Sequence, residues 1–488
     1  MPAARPATLW IDVEGVFVHL THWARPSGIQ RLAFEAARAL VEVAGTGRVR
    51  FVRHAAGGGF YEVSYREIAA AYAAAVAPAV RSDRSFKPAT ARRATAKAPD
   101  PAAGAPIWLR RLWRRGGGLL PGEVRMAMLD LLLHLWAAAR AVPTLLRTAW
   151  TARWRAPPAE PDAAASAAAM APGDVLFGIS SVWEPAHMAR AEAACGPHGL
   201  RYAILVYDMI AAVRPEFFMA DVVHRYRDWA RRMLPQCDLL LAISQATSRD
   251  IVAVARREGI ALRAPVRVVP IGTGFPSVPE EAESAAAAVP AEPYVLFVST
   301  IEVRKNHLLL LRVWRRLVEV MPAGTVPLLV FAGGIGWLVG DLMQQLANCD
   351  HLDGRIRVLE SPSDAALAAL YRGALFTVYP SHYEGWGLPV VESLAFGTPV
   401  LAARATSLPE AGGTLARYFA PDDVTDATAA IRALLDNPAD LAAWRSQVRA
   451  GFQPVSWHRT AEAILAAIDA PPGAALDPGA VDAAARAG

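Results

Sequence analysis

Short apolar runs alternate with helix-period segments along most of this chain, and that rhythm restricts it to parallel sheets covered by helices. A first series places strands at Thr8–Val13, Val175–Ile179, Tyr202–Tyr207 and Leu239–Ile243, closing near Val266–Pro270. After the polar, Ala-rich stretch Pro279–Pro290 a second series follows. Its strands fall at Tyr294–Val298, Val326–Ala332, Ile356–Leu359, Phe376–Tyr379 and Pro399–Ala402, with helices at His307–Val320, Asp364–Arg372 and Leu388–Ala395. Ser244 reads as the N-cap of a helix over Gln245–Glu258, because its hydroxyl can accept from a first-turn amide. A length of 488 residues exceeds what one core supports. The prediction is therefore an α/β protein of two Rossmann-like doubly wound domains, 1–270 and 271–470, followed by a flexible tail, 471–488.

One stretch breaks the rhythm. Residues 82–172 separate candidate strands by far more than a usual crossover. Phe86–Pro106 and Pro157–Ala171 within it are Ala- and Pro-rich and read as flexible. Between them, 107–155 carries nine arginines against only Glu123 and Asp130, together with Trp108, Trp113, Trp136, Trp150 and Trp154. Basic groups interleaved with indoles on helices suit a membrane surface. Spanning is disfavoured, since Asp130, Arg140 and Arg147 would each cost about 2.5–3.5 kcal/mol near a bilayer centre. The competing reading is a helical subdomain whose Trp residues fill its own core.

The net charge of +5 is concentrated in that segment, which argues against general nucleic-acid binding. Three cysteines, Cys195, Cys237 and Cys349, have neither zinc-like nor disulfide-framework spacing. Met1–Trp10 lacks a signal-peptide core, so the expected location is cytoplasmic, peripheral on the inner face of the cytoplasmic membrane.

The chemistry concentrates between Ser381 and Val400. A strand ends at Tyr379, a loop bearing Gly385 and Gly387 follows, and helical spacing starts at Leu388. Free amides at a helix start, aided by the helix dipole, offer a diphosphate site. Glycines there let the backbone approach the ligand. Glu384 and Glu392 lie eight positions apart, one before the helix and one on its second turn, both directed to the same cleft. A carboxylate beside phosphates would repel them, so each is better placed on hydroxyls.

This segment resembles the E-x7-E signature of retaining GT-B glycosyltransferases of family four, bacterial exopolysaccharide and lipopolysaccharide type. Gly397–Val400 and Ala405–Gly413 resemble the same C-terminal domain. Phe297–His307 is similar to that family's diphosphate loop, and Pro26–Arg31, Val206–Ile210 and Ala242–Asp250 to its N-terminal domain. The resemblance implies two domains facing across a cleft. Glu392 would hold the nucleotide ribose, and Glu384 would contact donor-sugar hydroxyls near the reacting carbon. Arg304 and Lys305 would neutralise the diphosphate, with Lys305 serving both glutamates. Gly385, Trp386, Gly387 and Leu388 would contribute amides to phosphate or sugar oxygens, Gly28 would leave room for the donor phosphate or the acceptor, and Asp208 would face the cleft from the acceptor side. Many relatives carry Gly-Arg where this chain has Ser299-Thr300, which leaves Thr300 in the donor loop with one cation fewer.

No Asp-x-Asp motif stands at a strand end, so Lys/Arg and helix dipoles are expected to stabilise the leaving diphosphate without metal or cofactor. The resemblance implies a retaining hexosyltransferase. The leading donor is GDP-mannose, with other GDP- or UDP-hexoses as alternatives, and the acceptor a lipid-linked or cell-envelope glycan. A catalytically silent, membrane-attached scaffold of a polysaccharide assembly complex is the alternative; a phosphorylase of the same fold is a third.

Overall fold

The computed structural model describes residues 6–22, 27–76, 168–180, 182–196, 199–273 and 289–470. The basic, Trp-rich segment 107–155, nearly all of the surrounding insertion 82–172, and the tail 471–488 lie outside the described residues.

Two sheets organise the described chain. The first contains β1 (Leu9–Asp12), β2 (Val49–His54), β3 (Phe60–Val63), β4 (Val175–Gly178), β5 (Arg201–Val206), β6 (Leu239–Ala242) and β7 (Val266–Val268), in the order β3-β2-β1-β4-β5-β6-β7. Only the β2–β3 pairing is antiparallel. The second contains β8 (Tyr294–Val298), β9 (Leu328–Ala332), β10 (Ile356–Leu359), β11 (Thr377–Tyr379), β12 (Val400–Ala403) and β13 (Arg417–Phe419), in the order β10-β9-β8-β11-β12-β13, all parallel. Each sheet reverses its winding direction once, between β1 and β4 and between β8 and β11. In such sheets ligands bind beyond the carboxyl ends of the strands at that reversal.

The central strands read as continuous apolar runs because both faces are covered. All five residues of β8 and of β9 are buried, as are the four of β1 and of β4. Ser244 caps the helix Gln245–Glu258 as its sequence predicts, accepting from the Thr247 amide at 2.9 Å. The β2–β3 hairpin and the edge strand β13 form elements that the apolar pattern did not mark.

A larger difference concerns the helix Trp457–Asp469. By sequence it follows the second domain, yet Ala461, Ile464 and Ile468 are buried in the core of the first sheet, packed against the helix Gly28–Ala44. Its apolar stripe sits against whichever core the returning chain reaches, which periodicity alone does not encode. The described residues of both sheets fall within one compact unit.

Candidate active site

The loop after β11 meets the first sheet at Gly385. A Cβ there would overlap the carbonyl oxygen of Tyr207 and stand 2.8 Å from Cβ of Asp208. The Gly385 carbonyl accepts from the Ser244 hydroxyl at 2.7 Å and from Thr247 Oγ1 at 3.3 Å. Gly385 therefore permits contact between the two α/β halves, a reason additional to the ligand approach expected of it. Gly387 has φ +146°, and a Cβ would lie 3.1 Å from both Leu408 and Ala411. It is the N-cap of the helix Leu388–Ala395, whose ladder begins with Val391 donating to Gly387 at 3.2 Å. The amides of Gly385 to Leu388 thus precede the first intrahelical bond, at the positive end of the helix. Gly28, the first residue of its own helix, sits over this start, where an added Cβ would lie 3.3 Å from Leu388 Cδ1. The Trp386 indole nitrogen is buried and has no hydrogen-bond partner among the described residues.

Glu384 lies between two cations. Its Oε1 is 2.6 Å from Lys305 Nζ and its Oε2 2.7 Å from Arg304 Nη1. Both cations belong to the short turn Val303–Lys305 after β8, which Asn306 leaves with φ +60° to start the helix His307–Val320. Arg304 also donates to the Tyr383 carbonyl at 2.8 Å and pairs with Glu302 at 2.6 Å. Burial alone would raise the Glu384 carboxyl, but Arg304 and Lys305 overcome it and hold the group at about 2. Thr406 and Ser407 fix the same residue's backbone, each donating to its carbonyl at 2.9 Å.

Asp208 follows β5 and reaches the same neighbourhood. Burial raises its carboxyl, opposed by Arg304 and by the Ile210 amide, which donates to Oδ1 at 3.0 Å. The Tyr226 hydroxyl donates to the Asp208 carbonyl. Arg304 and Lys305 therefore lie among three acidic residues, Glu302, Glu384 and Asp208, the first two of which they pair with directly. Thr300, on the same loop, is exposed.

Glu392 is built differently. Its side chain is 9% exposed and accepts from the Tyr371 hydroxyl at 2.9 Å and from Arg31 Nη1 at 3.2 Å. Arg31 Nη2 also meets Asp364 Oδ1 at 3.1 Å. Lys305 pairs with Glu384, so the expectation that one lysine serves both glutamates gives way to a division: Glu384 is matched by its own domain and Glu392 by Arg31 of the other. Sequence reasoning missed this role of Arg31, although the residue ends the family-like segment Pro26–Arg31.

A second polar cluster went unseen in the sequence. Asp12 at the end of β1, His54 at the end of β2 and His187 on the helix Pro185–Cys195 bring ligand-type atoms within 4.8 Å of one another. Those atoms satisfy each other: Asp12 Oδ2 is 2.7 Å from His54 Nε2 and 2.6 Å from His187 Nδ1, and His187 Nε2 is 2.9 Å from the Tyr202 hydroxyl. Burial would raise the Asp12 carboxyl, yet hydrogen bonds from both imidazoles hold it below the usual range. Tyr202 can donate to the far nitrogen of His187, which completes a closed network beneath the sheet's carboxyl edge.

Residues 279–450, which carry β8 to β13 and both glutamates, match the family described as glycosyl transferases group 1. Among curated proteins, the chain is 29% identical over 234 residues to O-antigen chain mannosyltransferase B of Escherichia coli, covering 47% of this chain and 60% of that one. It is 26% identical over 274 residues to serotype-specific mannosyltransferase WbdA of Escherichia coli, covering 54% and 32%. The chain thus spans less than two thirds of the length of either relative. Among solved structures, Anabaena HepE in complex with UDP-glucose aligns with a TM-score of 0.47 at 18% identity, over 60% of this chain and 77% of that one.

Proposed function

We propose that the protein is a retaining glycosyltransferase that moves a hexose from a nucleotide diphosphate sugar to a lipid-linked or cell-envelope glycan, with GDP-mannose as the leading donor. The observation that carries this reading is the Lys305–Glu384–Arg304 arrangement beside the start of the helix Leu388–Ala395. The family match over 279–450 and the mannosyltransferase names of two relatives support it.

In this reading the diphosphate lies against the amides of Gly385 to Leu388 and takes up Lys305 and Arg304. Each cation is committed to Glu384 at 2.6–2.7 Å, so phosphate must share or displace those bonds. Glu384, ionised throughout the neutral range, is then free to accept from donor-sugar hydroxyls near the reacting carbon. As the glycosidic bond breaks, negative charge grows on the leaving phosphate, and prepositioned cations and amides stabilise it more than the ground state. The departing phosphate takes the acceptor's proton on the same face, which retains configuration. Asp208 borders the acceptor side, Gly28 leaves space above the helix start, and Thr300 lines the donor loop. Glu392 accepts from the ribose hydroxyls. No metal or cofactor enters the proposed step, and segment 107–155 brings the enzyme to the membrane surface that holds its acceptor.

Glu384→Gln tests the reading. Transfer from radiolabelled GDP- or UDP-sugars to membrane extracts should fall by about 100-fold or more while GDP or UDP still binds, the pattern of lost transition-state contact. Wild-type turnover in that variant would overturn the assignment.

A further inference from the structure

We infer that Arg31 is a positioning residue that completes the nucleotide anchor from the opposite domain, holding Glu392 oriented and charge-paired as a ribose acceptor. The inference rests on the reading of Glu392 as the ribose anchor and goes beyond it by naming what makes that carboxylate usable.

The geometry is specific. Arg31 lies on the helix Gly28–Ala44 of the first half, and its guanidinium spans two acids of the second, Glu392 at 3.2 Å and Asp364 at 3.1 Å. Its side chain is 19% exposed and that of Glu392 is 9%, so this contact is largely withdrawn from water, where charge pairs matter most. Within its own half, Glu392 is faced by the hydroxyl donor Tyr371, by Tyr379 and by the anion Asp364. Those groups offer no positive charge. Burial disfavours the Glu392 anion and Asp364 adds to that, while Arg31 is the cation that opposes both. Tyr72, from the first half, borders Arg31.

Stoichiometry permits sharing. A carboxylate offers about four acceptor sites; Arg31 and Tyr371 use one on each oxygen and leave two for a vicinal diol. Arg31 therefore orients Glu392 rather than competing with the ribose. Without the guanidinium, Glu392 would be a buried carboxylate beside Asp364, which favours its protonated, weaker-accepting form. Nucleotide binding by the second half thereby depends on one side chain of the first.

The test is calorimetric titration of the full chain with GDP and with UDP, at about pH 5.5 and about pH 8, for wild type, Arg31→Gln, Arg31→Lys and Glu392→Gln. Arg31→Gln should weaken nucleotide binding by roughly tenfold at the higher pH and by clearly more at the lower one, as charge-assisted bonds of this kind are worth. Wild type should change little between the two, and Arg31→Lys should restore most of the pH independence. If Glu392→Gln weakens binding while Arg31→Gln does not, or if the Arg31→Gln loss is equal at both pH values, the inference fails and the ribose reading survives. If Glu392→Gln binds as wild type, or wild type binds neither nucleotide, the ribose reading itself fails and the inference with it.

Discussion

The hydroxyl of Ser244 donates at 2.7 Å to the carbonyl of Gly385, so the residue that caps a helix in the first half also holds the loop after β11 in the second. Gly385 has no room for a side chain against Tyr207 and Asp208. Gly385→Ala should therefore push the loop off the first half, costing about 1–3 kcal/mol as overpacking does and lowering kcat more than nucleotide affinity. Urea unfolding with steady-state transfer assays checks both. Wild-type stability and turnover would show that the loop does not need that approach.

Lys305→Met leaves Glu384 with Arg304 as its cation and Ser381 as a hydroxyl donor. The folded Glu384 carboxyl sits at about 2, below its ordinary 4.5, so its contribution to stability is complete above 4.5 and is lost as pH falls toward 2. Removing one cation raises the folded value and moves that loss to higher pH. Acid titration of the near-ultraviolet circular dichroism should show Lys305→Met unfolding at a higher pH than wild type, with about 1–3 kcal/mol less stability at neutrality. Coincident acid transitions would contradict the pairing.

His187→Phe removes one of the two imidazole donors to the buried Asp12 carboxylate. A buried charge left underpartnered costs roughly 3–5 kcal/mol. Thermal unfolding should shift down accordingly while GDP or UDP affinity per folded molecule is unchanged, because the cluster touches none of Glu384, Glu392, Arg304 or Lys305. A selective loss of nucleotide binding would place the cluster in the site instead.

Local signals in the chain marked much of the scaffold. Tyr294–Val298, His307–Val320 and Leu388–Ala395 follow from apolar periodicity with their observed ends, and the Ser244 cap from a single hydroxyl before a helical run. These are decided within a few residues by side-chain period and backbone hydrogen bonding. Gly385, Glu384 and Glu392 were legible for the same reason, since a Gly-bearing loop between strand and helix is a local pattern. Their partners were not. Arg31 and Glu392 are separated by 361 positions, and Asp12 and His187 by 175. The returning helix Trp457–Asp469 carries an amphipathic stripe that fits either core and settles on the first. Sequence by itself determined two α/β halves and a Gly-bearing loop that carries Glu384 between a strand and a helix. Tertiary structure alone decided which charge neutralises which, because burial and long-range closure, not spacing, set the surroundings of each carboxylate.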